Sequence, residues 1–112
     1  MLKKLFLIMS LLVLPALADT TEEINHLINY VKTSKCSYIR DGKTYTGSEG
    51  AKHITAKYDY YKDKINTAED FIRLSATKSI LLGTKYYIEC PGSPKVESKK
   101  WLLEELKKFR SK

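Results

Sequence analysis

The stretch CSYIRDGKTY, residues 36–45, decides the fold because it contains two β-prone segments joined by a two-residue turn. An Asp-Gly pair, here at residues 41–42, between segments rich in Tyr, Ile and Thr is a strong signal for a tight hairpin. A turn of this length pairs the strands so that Tyr38 lies opposite Tyr45. The sequence therefore predicts an antiparallel hairpin with strands at residues 36–40 and 43–46.

A third strand is predicted at residues 85–90, and its side chains alternate in the same way. The two-residue period places these side chains on one face of the first and third strands: Cys36, Tyr38 and Arg40, then Tyr86, Ile88 and Cys90. A disulfide between Cys36 and Cys90 would bring both sets to the same side of one sheet, facing the helices. On the chain-entropy model such a bond contributes about 4 kcal/mol to stability.

Four helices are predicted from apolar residues spaced three and four apart. Each begins at or just after a residue suited to capping: Thr20, Ser48, Thr67 and Ser98. The first, at about residues 21–33, has the capping-box pattern in which a glutamate, here Glu23, returns to the cap. Leu81 and Leu82 are expected to form a buried connection into the last strand. The fold class is therefore α+β, order α-β-β-α-α-β-α, with a three-stranded antiparallel sheet packed against about four helices.

The N-terminal segment, residues 1–18, has the three-part pattern of a secretory signal peptide. Two lysines precede an apolar run at residues 5–14, and Ala-x-Ala at residues 16–18 matches a cleavage site. The apolar run is too short to cross a membrane, which takes about 20 residues. We expect cleavage near Ala18, which leaves residues 19–112 as a single α+β domain in the periplasm or secreted, with no transmembrane anchor.

The chain is basic, with 20 Lys and Arg against 13 Asp and Glu and a formal net charge of +7. The positive charge is spread along the chain without a dense block, which suits solubility or weak attraction to an anionic polymer. For an exported protein, nucleic acid is a poor candidate partner. We expect a monomer, and neither the charge nor the motifs call for a cofactor.

One polar stripe runs along the predicted second helix, where Glu49, His53 and Lys57 are spaced four residues apart. Tyr60 falls in the same angular band, and the whole band lies away from the apolar side of the helix. Such a stripe is either a solvated face with ion pairs or a docking surface.

Catalysis and metal binding have weaker support in the sequence. Glu49 and His53 form an acid-base pair in composition, but no pocket and no Gly-x-Ser-x-Gly motif accompanies them. A second pair, Glu22 and His26, could join the first around zinc, but both pairs point away from the core of their helices. We predict no catalytic residues and no metal site; a small hydrolase or metal-dependent enzyme that uses Glu49 and His53 remains an alternative.

Arg40 differs from the other cations because it lies on the inward side of the hairpin. A guanidinium there needs a carboxylate, and Glu49 at the start of the next helix is the nearest in sequence. An Arg40–Glu49 ion pair is therefore predicted, and its rival is an arginine left open for an anionic ligand.

The chain resembles the YfeK-like family of small exported bacterial proteins, a domain of unknown function, over about residues 22–110. The resemblance depends on residues that match the family pattern in order: Arg40, Gly42, Glu49, His53, Lys57, Thr67, Ala68, Glu69, Phe71 and Gly83. The chain departs from that pattern at Asp41, Tyr45, Gly50 and Lys85, and Gly50 is expected to weaken the second helix. The resemblance implies export and an α+β domain, and it supplies no activity.

The function predicted from the sequence is a non-enzymatic binding module for an envelope protein or an anionic envelope component. The residues of the predicted binding surface are Arg40, Glu49, His53, Lys57 and Tyr60. A periplasmic inhibitor or immunity-type protein is a further alternative.

Overall fold

The computed structural model describes residues 20–112, so the expected signal peptide lies outside the described residues. The elements in chain order are α1 (20–33), β1 (Ser37–Arg40), β2 (Lys43–Tyr45), α2 (Gly47–Tyr61), α3 (Ala68–Ser75), β3 (Tyr87–Glu89), β4 (Val96–Glu97) and α4 (Ser98–Arg110). A 3₁₀ turn, Lys62–Lys64, follows α2. The fold is therefore α+β. Within residues 20–112, none of the helices has the length and apolar character needed to cross a membrane.

The sheet is antiparallel and has the strand order β2-β1-β3-β4. The hairpin has the predicted register, with Tyr38 opposite Tyr45. Both residues of its turn, Asp41 and Gly42, adopt positive φ angles of 50° and 78°, as a tight hairpin turn of this kind requires. Strand β3 pairs with β1 so that Ile88 lies opposite Tyr38.

The Cys36–Cys90 disulfide is present and connects the residue before β1 to the residue after β3. The strand register explains the pairing, because Ser37 lies opposite Glu89 and the two cysteines are the next residues outward. The predicted agreement between strand alternation and disulfide is therefore confirmed.

The prediction of three strands is wrong, because the described residues form a four-stranded sheet. The additional strand, β4, pairs Val96 with Ile88 and Glu97 with Tyr87. It contains two residues and runs directly into α4, so it is too short for side-chain alternation to be visible in the sequence.

The core is one cluster of side chains from the helices and the inner face of the sheet. Its fully buried large members are Ile24, Leu27, Val31, Tyr38, Ile54, Phe71, Ile72, Ile88, Leu102 and Leu106. Tyr38 lies where α2 crosses β1. A Cβ atom at Gly50 would come within 2.7 Å of the Tyr38 ring, so only glycine permits this close approach. Gly50, expected to weaken α2, thus has a packing role.

Helix α2 begins one residue after Thr46, rather than at the predicted cap Ser48. The Thr46 hydroxyl accepts from the Glu49 amide at 3.1 Å, and the Glu49 carboxylate accepts from the Thr46 amide at 2.9 Å. The two bonds form a reciprocal capping box.

Leu81 and Leu82, expected to be buried, are 94% and 68% exposed. They lie in a turn between α3 and β3 that projects from the fold instead of packing beneath it. Hydrophobic character alone suggested burial, and the structure contradicts it.

Helices α1, α3 and α4 are joined by Arg110. Its guanidinium donates to both oxygens of Glu23, at 2.7 and 3.0 Å, and to both oxygens of Glu69, at 2.6 and 2.9 Å. Glu23 therefore binds the end of α4, and the capping box predicted at Thr20 stays a prediction because the start of α1 borders the edge of the described residues. The hydrogen bonds from Arg110 are the main cause of the lowered pKa of Glu69.

Candidate functional site

Arg40 is the last residue of β1, and its guanidinium lies between two aromatic rings. The Cζ atom is 5.7 Å from the ring centroid of Tyr45 and 5.6 Å from that of Tyr86, distances at which cation–π attraction operates. One terminal nitrogen donates to Nδ1 of His53. The Nε atom is buried and has no hydrogen-bond partner among the described residues.

His53 presents its Nδ1 to Arg40, so this nitrogen is the acceptor and the ring proton belongs on Nε2. The ring also meets Tyr45 edge-on, with centroids 4.9 Å apart. Burial is the main cause of a lowered pKa for His53; the Arg40 charge lowers the pKa further, and Glu49 opposes both. The imidazole is therefore neutral at pH 7, as an acceptor for a guanidinium must be.

Lys57, one helical turn after His53, connects α2 to the segment that leads into β3. Its ammonium donates to the Tyr86 hydroxyl at 3.0 Å and to the Lys78 carbonyl at 2.9 Å. The same Nζ atom lies 4.8 Å from the Tyr86 ring centroid. We call these five residues the Arg40 cluster: Arg40, Tyr45, His53, Lys57 and Tyr86.

The predicted Arg40–Glu49 ion pair is not formed. Glu49 is exposed, and its carboxylate binds the Thr46 amide in the capping box. Its pKa is lowered mainly by these bonds to Thr46. A cap three residues away in sequence is a nearer partner than a side chain on another element, so the carboxylate remains at the helix start. Over residues 20–112, Arg40 has no carboxylate within ion-pair distance.

Tyr60, the remaining residue of the predicted surface, is 80% exposed near the end of α2. Its ring lies perpendicular to the Tyr61 ring, with centroids 4.8 Å apart, and none of its aromatic contacts is to the Arg40 cluster. The structure thus brings together Arg40, His53 and Lys57, with Glu49 and Tyr60 outside the cluster.

Tyr45 and Tyr86 belong to the cluster but were not among the predicted binding residues. The strand registers contained the signal for both. Arg40 pairs with Lys43, so Tyr45 is its diagonal neighbour on the adjacent strand. The β1–β3 pairing of Ile39 with Tyr87 brings Tyr86 next to Arg40.

His26, a member of the second glutamate–histidine pair, does not approach Glu49 and His53 as a shared zinc site would need. His26 binds Glu105 of α4 at 2.7 Å and stacks on Phe109, with centroids 4.1 Å apart. In the part of the chain that the structure describes, no group of three or more His, Cys, Asp or Glu side chains is placed to hold a metal ion.

Comparison of the sequence with known proteins identifies the family of this chain. A model described as a family of unknown function, DUF5329, matches residues 18–110. The chain belongs to this family. The uncharacterized protein YfeK of Salmonella typhimurium is 33% identical over 81 residues, which cover 68% of each chain. No solved structure matches the chain. The DUF5329 match confirms the YfeK-like resemblance and spans the whole Arg40 cluster.

Proposed function

We propose that this protein is an exported, non-enzymatic binding module that recognises an anionic group of a cell-envelope component at the Arg40 cluster. The observation that carries the proposal is the part-buried guanidinium of Arg40. Among residues 20–112 its hydrogen-bond partner is the neutral imidazole of His53. A guanidinium in this environment gains most from a ligand with paired anionic oxygens, such as a phosphate or carboxylate.

The surroundings of Arg40 favour binding over structural ion pairing. Tyr45 and Tyr86 hold the plane of the guanidinium, so fewer rotamers are lost when a ligand arrives. Lys57 adds a second positive charge, with its Nζ atom 4.8 Å from the Tyr86 ring centroid. The Nε2 proton of His53 is a further donor for an anionic oxygen.

Catalysis by Glu49 and His53 has less support. The Nδ1 atom of His53 accepts from Arg40, and the Glu49 carboxylate accepts from the Thr46 amide. A general base needs a free acceptor atom within reach of the proton it removes. The occupied Nδ1 favours a positioning role for His53 beside Arg40.

Export is part of the proposal. It is supported by the expected signal peptide, and by a disulfide that fits an oxidising compartment. The basic net charge favours an anionic partner.

The test is a titration of the protein with inorganic phosphate, followed by the amide NMR shifts of the Arg40 cluster. Arg40→Gln is expected to weaken binding at least about tenfold, because a charge-assisted paired hydrogen bond is lost. The matched control is Arg73→Gln, which removes an exposed arginine that already pairs with Asp70. Equal affinity in both variants, or shifts spread evenly over all lysines, would contradict the anion site.

A further inference from the structure

Three consecutive aliphatic residues form an exposed tip between α3 and β3. Ile80, Leu81 and Leu82 are 63%, 94% and 68% exposed. Single exposed leucines are common on protein surfaces, but a run of three is unusual unless something covers it. Neither the family match nor the Arg40 cluster accounts for this tip.

The tip is held by a defined turn. The Ser79 amide donates to the Thr84 carbonyl at 2.9 Å, and the Gly83 amide donates to the Ser79 carbonyl at the same distance. Gly83 has a φ of 70°, which glycine adopts without strain. The Tyr86 amide closes the base of the turn on the Thr77 carbonyl at 2.9 Å. The aliphatic side chains are therefore presented outward by a regular hydrogen-bonded structure.

Positive charge surrounds the base of the turn. Lys78 and Lys85 face each other across an antiparallel bridge, and both are exposed. Lys57 binds the Lys78 carbonyl and so places a third cation nearby. The acidic groups at the base are Glu97, 3.5 Å from Lys85, and Asp41, which accepts from the Thr84 hydroxyl. Lys78 and Lys57 have no acidic partner within ion-pair distance in residues 20–112.

We propose that this turn inserts into the surface of a lipid bilayer that contains anionic lipid. An apolar tip with lysines at its base matches the layers of a bilayer surface, in which acyl chains lie beneath phosphate groups. The three side chains would enter the acyl boundary while Lys78 and Lys85 contact the phosphates. The proposal goes beyond the anion site at Arg40 and does not depend on it.

The test is sedimentation of the processed protein with vesicles of phosphatidylethanolamine and phosphatidylglycerol, its N-terminus checked by mass spectrometry. Replacing the tip by Ile80→Ser, Leu81→Ser and Leu82→Ser is expected to weaken binding at least about tenfold, because buried apolar area is lost. The exposed positions should leave folding unchanged, which circular dichroism checks. Leu81→Ile keeps the apolar area and should bind like the wild type. Leu81→Trp should add a blue-shifted fluorescence component with vesicles.

Charge is tested with a matched pair of variants. Lys78→Gln with Lys85→Gln should weaken vesicle binding about fivefold per lysine. The control is Lys107→Gln with Lys108→Gln, which removes the same charge from the last turn of α4. That turn lies near the start of α3, where Arg110 binds Glu69, whereas the exposed tip follows the end of α3. This control should bind within about twofold of the wild type, because screening limits charge effects to about 8–10 Å.

The proposal is overturned if wild type and the triple serine variant sediment equally, or if the wild type does not sediment with the anionic vesicles. It is also overturned if the tip instead joins two copies, seen as a dimer in analytical ultracentrifugation that the serine variant abolishes. Phosphate binding at Arg40 is measured in a separate titration, so failure of vesicle binding would not contradict the proposed anion site.

Discussion

At His53 one imidazole determines how Arg40 is held. A guanidinium accepts no hydrogen bond and offers only donors, so its partner must present a lone pair, and Nδ1 of a neutral histidine does. A protonated imidazole would place a second positive charge against the first. The burial and the Arg40 charge that lower the pKa of His53 are therefore the conditions that preserve the contact.

This pairing predicts a pH dependence of folding. The pKa of His53 is lowered in the folded protein, so the unfolded chain binds more protons as the pH falls past 6.5. The free energy of unfolding should therefore decrease as the pH is lowered below about 7, and level off below the folded pKa. Urea unfolding at a series of pH values measures this slope.

The matched variant is His53→Gln, in which the slope between pH 7 and pH 5.5 should be shallower. The carboxylates whose pKa values are lowered, Glu49, Glu69 and Asp70, titrate below this window. In Arg40→Gln the His53 ring should titrate at higher pH, observed by NMR. An unchanged slope in His53→Gln would show that His53 does not contribute.

Single residues show where prediction from sequence fails. The Arg40–Glu49 pair was predicted because opposite charges close in sequence attract. The Thr46 amide lay nearer to the carboxylate, so the capping box formed instead. Hydrophobicity predicts burial for Leu81 and Leu82, but it measures only the tendency of a side chain to leave water. It does not show whether the fold offers a site where the side chain can pack.

At the scale of elements, most local signals were reliable, and long-range partners were predicted only where the two cysteines indicated them. The hairpin followed from its Asp-Gly turn, and the start of α3 followed from Thr67, whose hydroxyl accepts from the Asp70 amide at 3.0 Å. Strand β4 depends on pairing with residues eight and ten positions earlier, and its two residues carry no pattern of their own. The attachment of Glu23 to Arg110 spans 87 positions, so no spacing rule could suggest it.

Arg110 is predicted to be the residue that holds the ends of three helices together. Arg110→Gln should lower the free energy of unfolding by about 1–3 kcal/mol, because the Glu23 carboxylate, only 11% exposed, loses its charged partner. Glu69→Gln should cost less than about 1 kcal/mol, because that side chain is half exposed. Chemical denaturation measures both.

A double variant separates this network from nonspecific damage. Glu23→Gln combined with Arg110→Gln should cost less than the sum of the single changes, because neither partner is then left as an uncompensated charge. Strict additivity would contradict the proposed coupling between α1 and α4.

At the scale of the whole molecule, the disulfide links two segments that are 54 positions apart and encloses α2 and α3 between its ends. Replacing both cysteines, Cys36→Ser with Cys90→Ser, should lower the free energy of unfolding by about 4 kcal/mol, because the unfolded chain regains the conformational entropy that the disulfide removed. Thermal unfolding with and without reductant measures it. Reductant should lower the midpoint of the wild type and leave the double variant unchanged.

The two outer strands of the sheet, β2 and β4, contain three and two residues. An unpaired edge can recruit strands from other molecules, and the number of free amide and carbonyl groups it offers increases with its length. The charge of Lys43 and the exposed polar side chain of Thr44 further reduce the tendency of the β2 edge to pair with another strand. The short edges therefore limit fibril growth through strand pairing, even though an aliphatic turn is exposed elsewhere on the surface.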